Sequence, residues 1–284
     1  MPLAAIWRET VLEVDQMATP MTAPRISERK HRRGADPIVM ITAYDTPFAR
    51  LVDEAGVDVI LVGDSVGDNV LGMENTLSVT IADIAHHTAA VSRAKPAALI
   101  VADMVWMSYH TTTENAIENA ATLIRAGAQA VKLEGGKNRI PVIRALLDAQ
   151  IPVMGHLGLT PQSIHTMGGL RVQARDDASA KTLLEDALLL EESGCFAIVL
   201  EGVPRSLAKT VTEAIEVPTI GIGAGPDCDG QVLVLHDLLG LNGRPAPKFV
   251  RRYVDLASAT RDAVASYSTD VRSGSFPDDE ESYH

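Results

Sequence analysis

AALIVADMVWMSYHTTTENAIENAATLIRAGAQAVKLEGG, residues 97–136, sets two apolar runs on either side of one amphipathic repeat. ALIVA is continuously apolar, as in a strand covered on both faces. TTENAIENAATLIRAG carries its apolar residues at helical spacing and stops at Gly127, a residue able to take the positive φ of a helix C-terminus. AVKLEGG then opens a second strand. Strand, helix and strand in this order predict a parallel pair with a helical crossover.

Outward from this unit the pattern repeats. The runs IVMITAY (38–44), VDVILVG (57–63), IPVMGHLG (151–158), FAIVLEG (196–202) and VPTIGIGA (217–224) supply further strands. TIADIAHHTAAVSRA (80–94) and ASAKTLLEDALLLEESG (178–194) read as helices. Gly56, Gly194 and Gly240 end periodic runs as Gly127 does. An eighth strand is expected at APKFV, 246–250, followed by a helix over YVDLASATRDAVASYSTDVRSG, 253–274. Eight units predict a closed (β/α)8 TIM barrel over residues 37–284, with a C-terminal helix and tail, and not an open sheet. Residues 1–36 lack sustained periodicity and carry the mixed-polarity stretch APRISERKHRRGADP, so they are expected to form a mobile N-terminal arm.

Composition narrows the partners. With 284 residues, 46% of them hydrophobic, the chain can bury a large single core. A formal net charge of -12, from 37 acidic and 25 basic residues, argues against nonspecific binding to nucleic acid or to an anionic membrane. Cys195 and Cys228 form no CxxC pair, which suggests neither a zinc site nor a disulfide framework. No apolar stretch nears the ~20 residues of a membrane span, and Arg8, Glu9, Glu13 and Asp15 break the first one. The expectation is a cytoplasmic protein acting on small molecules.

Charged residues end several of the predicted strands. Asp64 follows DVILV, Asp103 follows ALIVA, Lys132 and Glu134 lie in AVKLEGG, and Glu201 follows AIVL. At the C-terminal mouth of a parallel barrel these side chains converge on one pocket. Asp64 and Asp103, with Glu134 directly or through water, offer oxygen ligands to a hard cation such as Mg²⁺. The alternative is a salt-bridged rim. Lys132 and Glu134, two apart on one strand, share a face. Surrounding acids keep Lys132 protonated, which favours an electrostatic role over a Schiff base. His156 is either a donor to a substrate carboxylate or a structural histidine. Glu201 lies across the mouth from Asp64 and Asp103, the place for a base acting on the far side of a metal-bound substrate. The glycines of GIGAG, 221–225, are read as tight turning and are assigned no cofactor. The set suits removal of a proton α to a carbonyl and stabilisation of the enolate.

ITAYD (41–45), LVGDSVG (61–67), VADM (101–104), NAATLIRAGAQAVKLEGG (119–136), GHLGLTPQS (155–163) and GIGAGPDCDGQVLVLHD (221–237) closely resemble the ketopantoate hydroxymethyltransferase family. The resemblance runs from about residue 38 to the C-terminus. It implies a TIM barrel of the phosphoenolpyruvate/pyruvate type, a role in pantothenate and hence coenzyme A biosynthesis, and 5,10-methylenetetrahydrofolate as cosubstrate. It implies Asp64, Asp103 and Glu134 as the Mg²⁺ site. It further implies Asp64, Ser65, Asp103, Lys132 and His156 as the 2-oxo acid site, Glu201 as proton acceptor, and a homodecamer of two pentameric rings. This chain departs from the family pattern at Ser78 of LSVT and Val105, where proline is common, and at Ala174 of VQAR, where glycine is common. Ala174 matters most if the position requires positive φ. A metal-dependent 2-oxo acid lyase on the same barrel, without folate, and a nonenzymatic 2-oxo acid sensor or scaffold are the competing readings.

Overall fold

The computed structural model describes residues 19–30, 34–169, 171–243 and 246–284. Eight parallel strands close into a barrel in chain order: β1 Ile38–Thr42, β2 Val59–Val62, β3 Leu99–Asp103, β4 Ala130–Glu134, β5 Val153–Gly158, β6 Ala197–Glu201, β7 Thr219–Ile222 and β8 Gly230–Leu233. The seven runs expected as strands 1 to 7 are all strands, and helices Ile81–Ser92, Thr113–Arg125 and Asp177–Glu192 occupy the expected crossovers.

The eighth strand is not at 246–250. That segment forms no strand, and β8 instead follows β7 after the seven-residue connection Gly223–Asp229, with no helix between them. The expectation failed because it required a helix in every crossover and so passed over a strand that follows a helix-free connection. The short connection works because Gly230 sits where a Cβ would lie 2.5 Å from the Ile38 carbonyl oxygen, so only glycine lets β8 close on β1. Phe249 of the misplaced run reaches the barrel mouth.

Within the stretch expected as an arm, residues 19–30 pack against the floor of the barrel. Thr22 caps the short helix Ala23–Ser27 and Pro24 lies in its first turn. Ile26, fully buried, joins the inward file of Ile38, Met40, Val59, Leu99 and Ala130. Lys30 is fully buried; its ammonium donates to Asp229 Oδ2 at 2.8 Å and to the Val217 carbonyl at 3.1 Å. A mixed-polarity segment shows no periodicity when only one helical turn of it docks. Residues 1–18 and 31–33 of the expected arm lie outside the described residues.

Strand periodicity carries the interior from apolar to charged. Val101 and Asp103 on β3, Ala130, Lys132 and Glu134 on β4, Met154 and His156 on β5, and Val199 and Glu201 on β6 follow one another at every second residue. The register pairs Asp103 with Lys132 and Glu134 with His156. The lower layers are therefore a packed core, and the top layer is a ring of ionisable groups. Among the described residues no helix is long and apolar enough to cross a membrane.

Candidate active site

All seven sequence-predicted site residues, Asp64, Ser65, Asp103, Lys132, Glu134, His156 and Glu201, line one cleft of about 260 Å³ at the C-terminal mouth. Asp64 reaches it from the turn after β2. Gly63 occupies the inward position before it, where a Cβ would lie 3.0 Å from Ser65 Oγ and 3.3 Å from Asp103 Oδ2. The missing side chain lets the Asp64 N–H donate to Asp103 Oδ2 at 3.0 Å, tying the two carboxylates together. Ser65 Oγ pairs with the buried Tyr44 hydroxyl at 2.8 Å.

Lys132 is the hub. Its ammonium lies 3.0 Å from Asp103 Oδ1 and 3.2 Å from His156 Nδ1. Burial disfavours its charge, but Asp103, Glu134 and Asp64 outweigh burial and hold its pKa above the usual lysine value. Because the protonated amine can only donate, His156 Nδ1 is assigned as acceptor, which leaves the ring proton on Nε2. Burial, reinforced by Lys132, pushes the His156 pKa well down, so the ring is neutral. Its Nε2 is buried and makes no hydrogen bond, lying 3.2 Å from Glu201 Oε2 but out of line with it. The Nε2 proton is thus available to a substrate.

The carboxylates feel the opposite pressure. Burial, with help from Asp103, raises Asp64 to about 7. Burial raises Glu134 well above its ordinary value. Glu201 is also raised to about 7 by burial, while Lys132 opposes the shift. Its side chain is 18% exposed, compared with 3% for His156. Glu201 on β6 stands four strands from β2, the opposite side of an eight-stranded ring.

Sequence reasoning assigned no role to Gln162. This buried residue after β5 donates from its backbone N–H to Glu134 Oε2 at 3.0 Å and from Nε2 to both Asp64 Oδ2 and the Met104 carbonyl at 2.9 Å. Tyr109, also buried, donates its hydroxyl to Gln162 Oε1 at 2.7 Å. Gln162 lies inside GHLGLTPQS, but a buried amide has no periodic signature. Ala174 has φ +53°, and the neighbouring Gln173 N–H binds the Gly202 carbonyl beside Glu201.

Among the described residues no three His, Cys, Asp or Glu side chains form a ready-made coordination group. Mg²⁺ needs no such cage, since it commonly takes one or two carboxylates and keeps waters. Asp64 and Asp103 are adjacent hard oxygen donors, and the buried Asp103 Oδ1 accepts no directed hydrogen bond. Seven carboxylates line the cleft with one ammonium, an excess of negative charge that a divalent cation would offset. The residues fit the ion.

A family profile described as Ketopantoate hydroxymethyltransferase matches residues 20–279. The chain belongs to the ketopantoate hydroxymethyltransferase family. Relatives of that family include the 3-methyl-2-oxobutanoate hydroxymethyltransferase of Pelobacter propionicus, 55% identical over 272 residues, covering 95% of this chain and 100% of the relative. The protein of the same name from Pyrobaculum islandicum is 57% identical over 245 residues, covering 86% of this chain and 94% of its own. Among solved structures, phosphonopyruvate hydrolase in complex with oxalate and Mg²⁺ superposes with a TM-score of 0.59 at 13% identity, covering 92% of this chain and 93% of the other. A 2,3-dimethylmalate lyase of the PEP mutase/isocitrate lyase superfamily gives a TM-score of 0.59 at 17% identity, covering 92% of each. At such identity these two establish the shared barrel alone. The closed (β/α)8 barrel expected from the sequence is the fold observed.

Proposed function

We propose that this protein transfers a hydroxymethyl group from 5,10-methylenetetrahydrofolate to 3-methyl-2-oxobutanoate, giving 2-dehydropantoate and tetrahydrofolate in pantothenate biosynthesis. The observation that carries the reading is Glu201: a carboxylate held near neutrality by burial, facing the Asp64–Asp103 pair from the opposite side of the mouth. Asp64 and Asp103 would hold Mg²⁺, with Glu134 completing the site, partly through water. When bound, the ion offsets the carboxylates and draws electrons from the 2-oxo acid.

The chain's own groups do the rest. The His156 Nε2–H donates to the substrate carboxylate, and Ser65, oriented by Tyr44, donates beside it. Glu201 takes the C3 proton. The Lys132 ammonium, which never needs to release its proton, stabilises charge developing on the keto oxygen. C3 then forms its new bond to the methylene carbon of the folate. That carbon gives up its bonds to N5 and N10 and takes the hydroxyl of one water, while the proton removed from C3 and the other proton of the water end on the two nitrogens of tetrahydrofolate.

The enzyme is a single catalytic barrel in the cytoplasm and works as a homo-oligomer, the family's decamer. Helix Leu256–Ser273, which buries none of its residues in its own chain and exposes Val264, Tyr267 and Val271, supports contact between copies. The test is incubation with 3-methyl-2-oxobutanoate, Mg²⁺ and 5,10-methylenetetrahydrofolate in D₂O, followed by NMR. Loss of the C3 proton signal and metal-dependent 2-dehydropantoate are expected. C3 exchange without product would leave the enolisation chemistry and remove the folate step. Neither signal from folded, metal-loaded protein would favour the lyase or the sensor.

A further inference from the structure

We propose that Gln162 is a positioning residue that fixes which oxygen of Asp64 faces the cleft and couples Asp64 to Glu134, so that the divalent-cation site is set before substrate arrives. This rests on the metal-site reading above. The argument begins with valence. A primary amide has two N–H donors and one carbonyl acceptor. Both donors of Gln162 are used, on Asp64 Oδ2 and on the Met104 carbonyl, and its oxygen accepts from the Tyr109 hydroxyl. The Met104 carbonyl facing Nε2 is an acceptor only, so a flipped amide would set oxygen against oxygen there, and it would turn the amide nitrogen toward the Tyr109 hydroxyl. The orientation is therefore dictated by the network and does not depend on how the amide is drawn.

The network also has a direction. The Glu134 N–H donates to the Tyr109 hydroxyl at 3.2 Å, that hydroxyl donates to Gln162, and Gln162 donates to Asp64. Each bond polarises the next in the same sense, which strengthens the donor aimed at Asp64. The backbone N–H of the same residue holds Glu134 Oε2. One residue after β5 thus ties a carboxylate from the end of β2 to another from the end of β4. With Asp64 Oδ2 occupied by the amide, Oδ1 is the oxygen left for the cleft. The Glu134 oxygen held by the Gln162 backbone is Oε2, which leaves Oε1 as the oxygen not engaged by Gln162.

Substitution separates positioning from packing. Gln162→Met keeps the volume and removes all three side-chain hydrogen bonds; Gln162→Glu keeps the shape and sets an acid against Asp64 and Met104. Partners that orient metal ligands commonly alter affinity by roughly 10- to 100-fold. Mn²⁺ binding to the full-length protein, read by electron paramagnetic resonance without substrate, is expected to weaken at least about tenfold in Gln162→Met. The KM for 3-methyl-2-oxobutanoate should rise with it and kcat should change less. Tyr109→Phe, which leaves Gln162 in place, should shift Mn²⁺ affinity in the same direction by a smaller factor. Wild-type Mn²⁺ affinity in folded Gln162 variants would overturn the proposal; should those variants fail to fold, an unshifted Tyr109→Phe would do the same. Absence of Mn²⁺ binding by the wild-type protein would instead overturn the metal-site reading.

Discussion

Replacing Lys30 by Met tests whether residues 19–30 belong to the barrel. The Lys30 ammonium is fully buried against Asp229, which is itself 1% exposed. Asp229 Oδ2 also accepts from the Thr219 N–H at 2.8 Å and the Thr219 hydroxyl at 3.1 Å. These neutral donors remain in Lys30→Met, but the Lys30 charge does not. Breaking a buried pair from one side costs about 3–5 kcal/mol. The lower figure corresponds to roughly a hundredfold shift in an opening equilibrium, at 1.4 kcal/mol per decade. Fully buried Ile26 contributes about another 1.5–3 kcal/mol to docking, so the segment should loosen without the barrel unfolding. Trypsin cleavage after Arg25 under native conditions reads that opening directly. It should accelerate roughly a hundredfold in Lys30→Met. In the double variant Lys30→Met, Asp229→Asn most of the loss should be recovered, because no charge is stranded. A single variant cleaved no faster than wild type would show that the ion pair does not hold the segment, and the account of the floor would fall.

Glu201→Gln should retain Mn²⁺ and 2-oxo acid binding and lose C3 exchange by at least about a hundredfold, the usual contribution of a positioned base; unchanged exchange by NMR would remove Glu201 as the base. Because the base works only after losing its proton, and burial raises Glu201 to about 7, kcat/KM should climb with pH through that region. A rate that fell with rising pH from about 6 to 8 would contradict the assignment. Ala174→Gly should relieve about 1–2 kcal/mol of left-handed strain and lose part of it, about 0.5–1 kcal/mol, to the freer unfolded chain. The net effect is a melting temperature higher by about 2 °C in thermal unfolding, and a lower one would show that φ +53° is not strained here.

Seven strands were legible because burial on both faces writes a continuous apolar run into the sequence, and the ring of ionisable groups was legible because it ends those runs. β8 was missed where that logic lapses: Gly230–Leu233 follows a helix-free connection, and its decisive residue, Gly230, is defined by a contact with Ile38 at the other end of the chain. The docking of residues 19–30 draws on Ala23, Ile26, Arg29 and Lys30, and so few contacts in so short a segment give no period to detect. Gln162 was invisible for a related reason. Its role lies in partners from positions 64, 104, 109 and 134, which no local pattern contains. The strained backbone at Ala174, in contrast, was foreshadowed by the alanine itself, standing where the family pattern commonly has glycine.

The seam between β1 and β8 also orders events during synthesis. Lys30 must wait for Asp229, 199 residues later, and the Thr42 hydroxyl accepts from the Leu235 N–H, 193 residues later. Strands β2 to β7 each add to a neighbour already made, whereas the ring cannot close until residues near 235 leave the ribosome. Such distant pairings are slow to form, although the entropic cost of a loop grows only logarithmically with its length. Until then Lys30 lacks Asp229, β1 presents an unpaired edge, and the growing chain is an open curved sheet. A nascent chain stalled before Asp229 should therefore recruit chaperones, and one released beyond Leu235 should escape them.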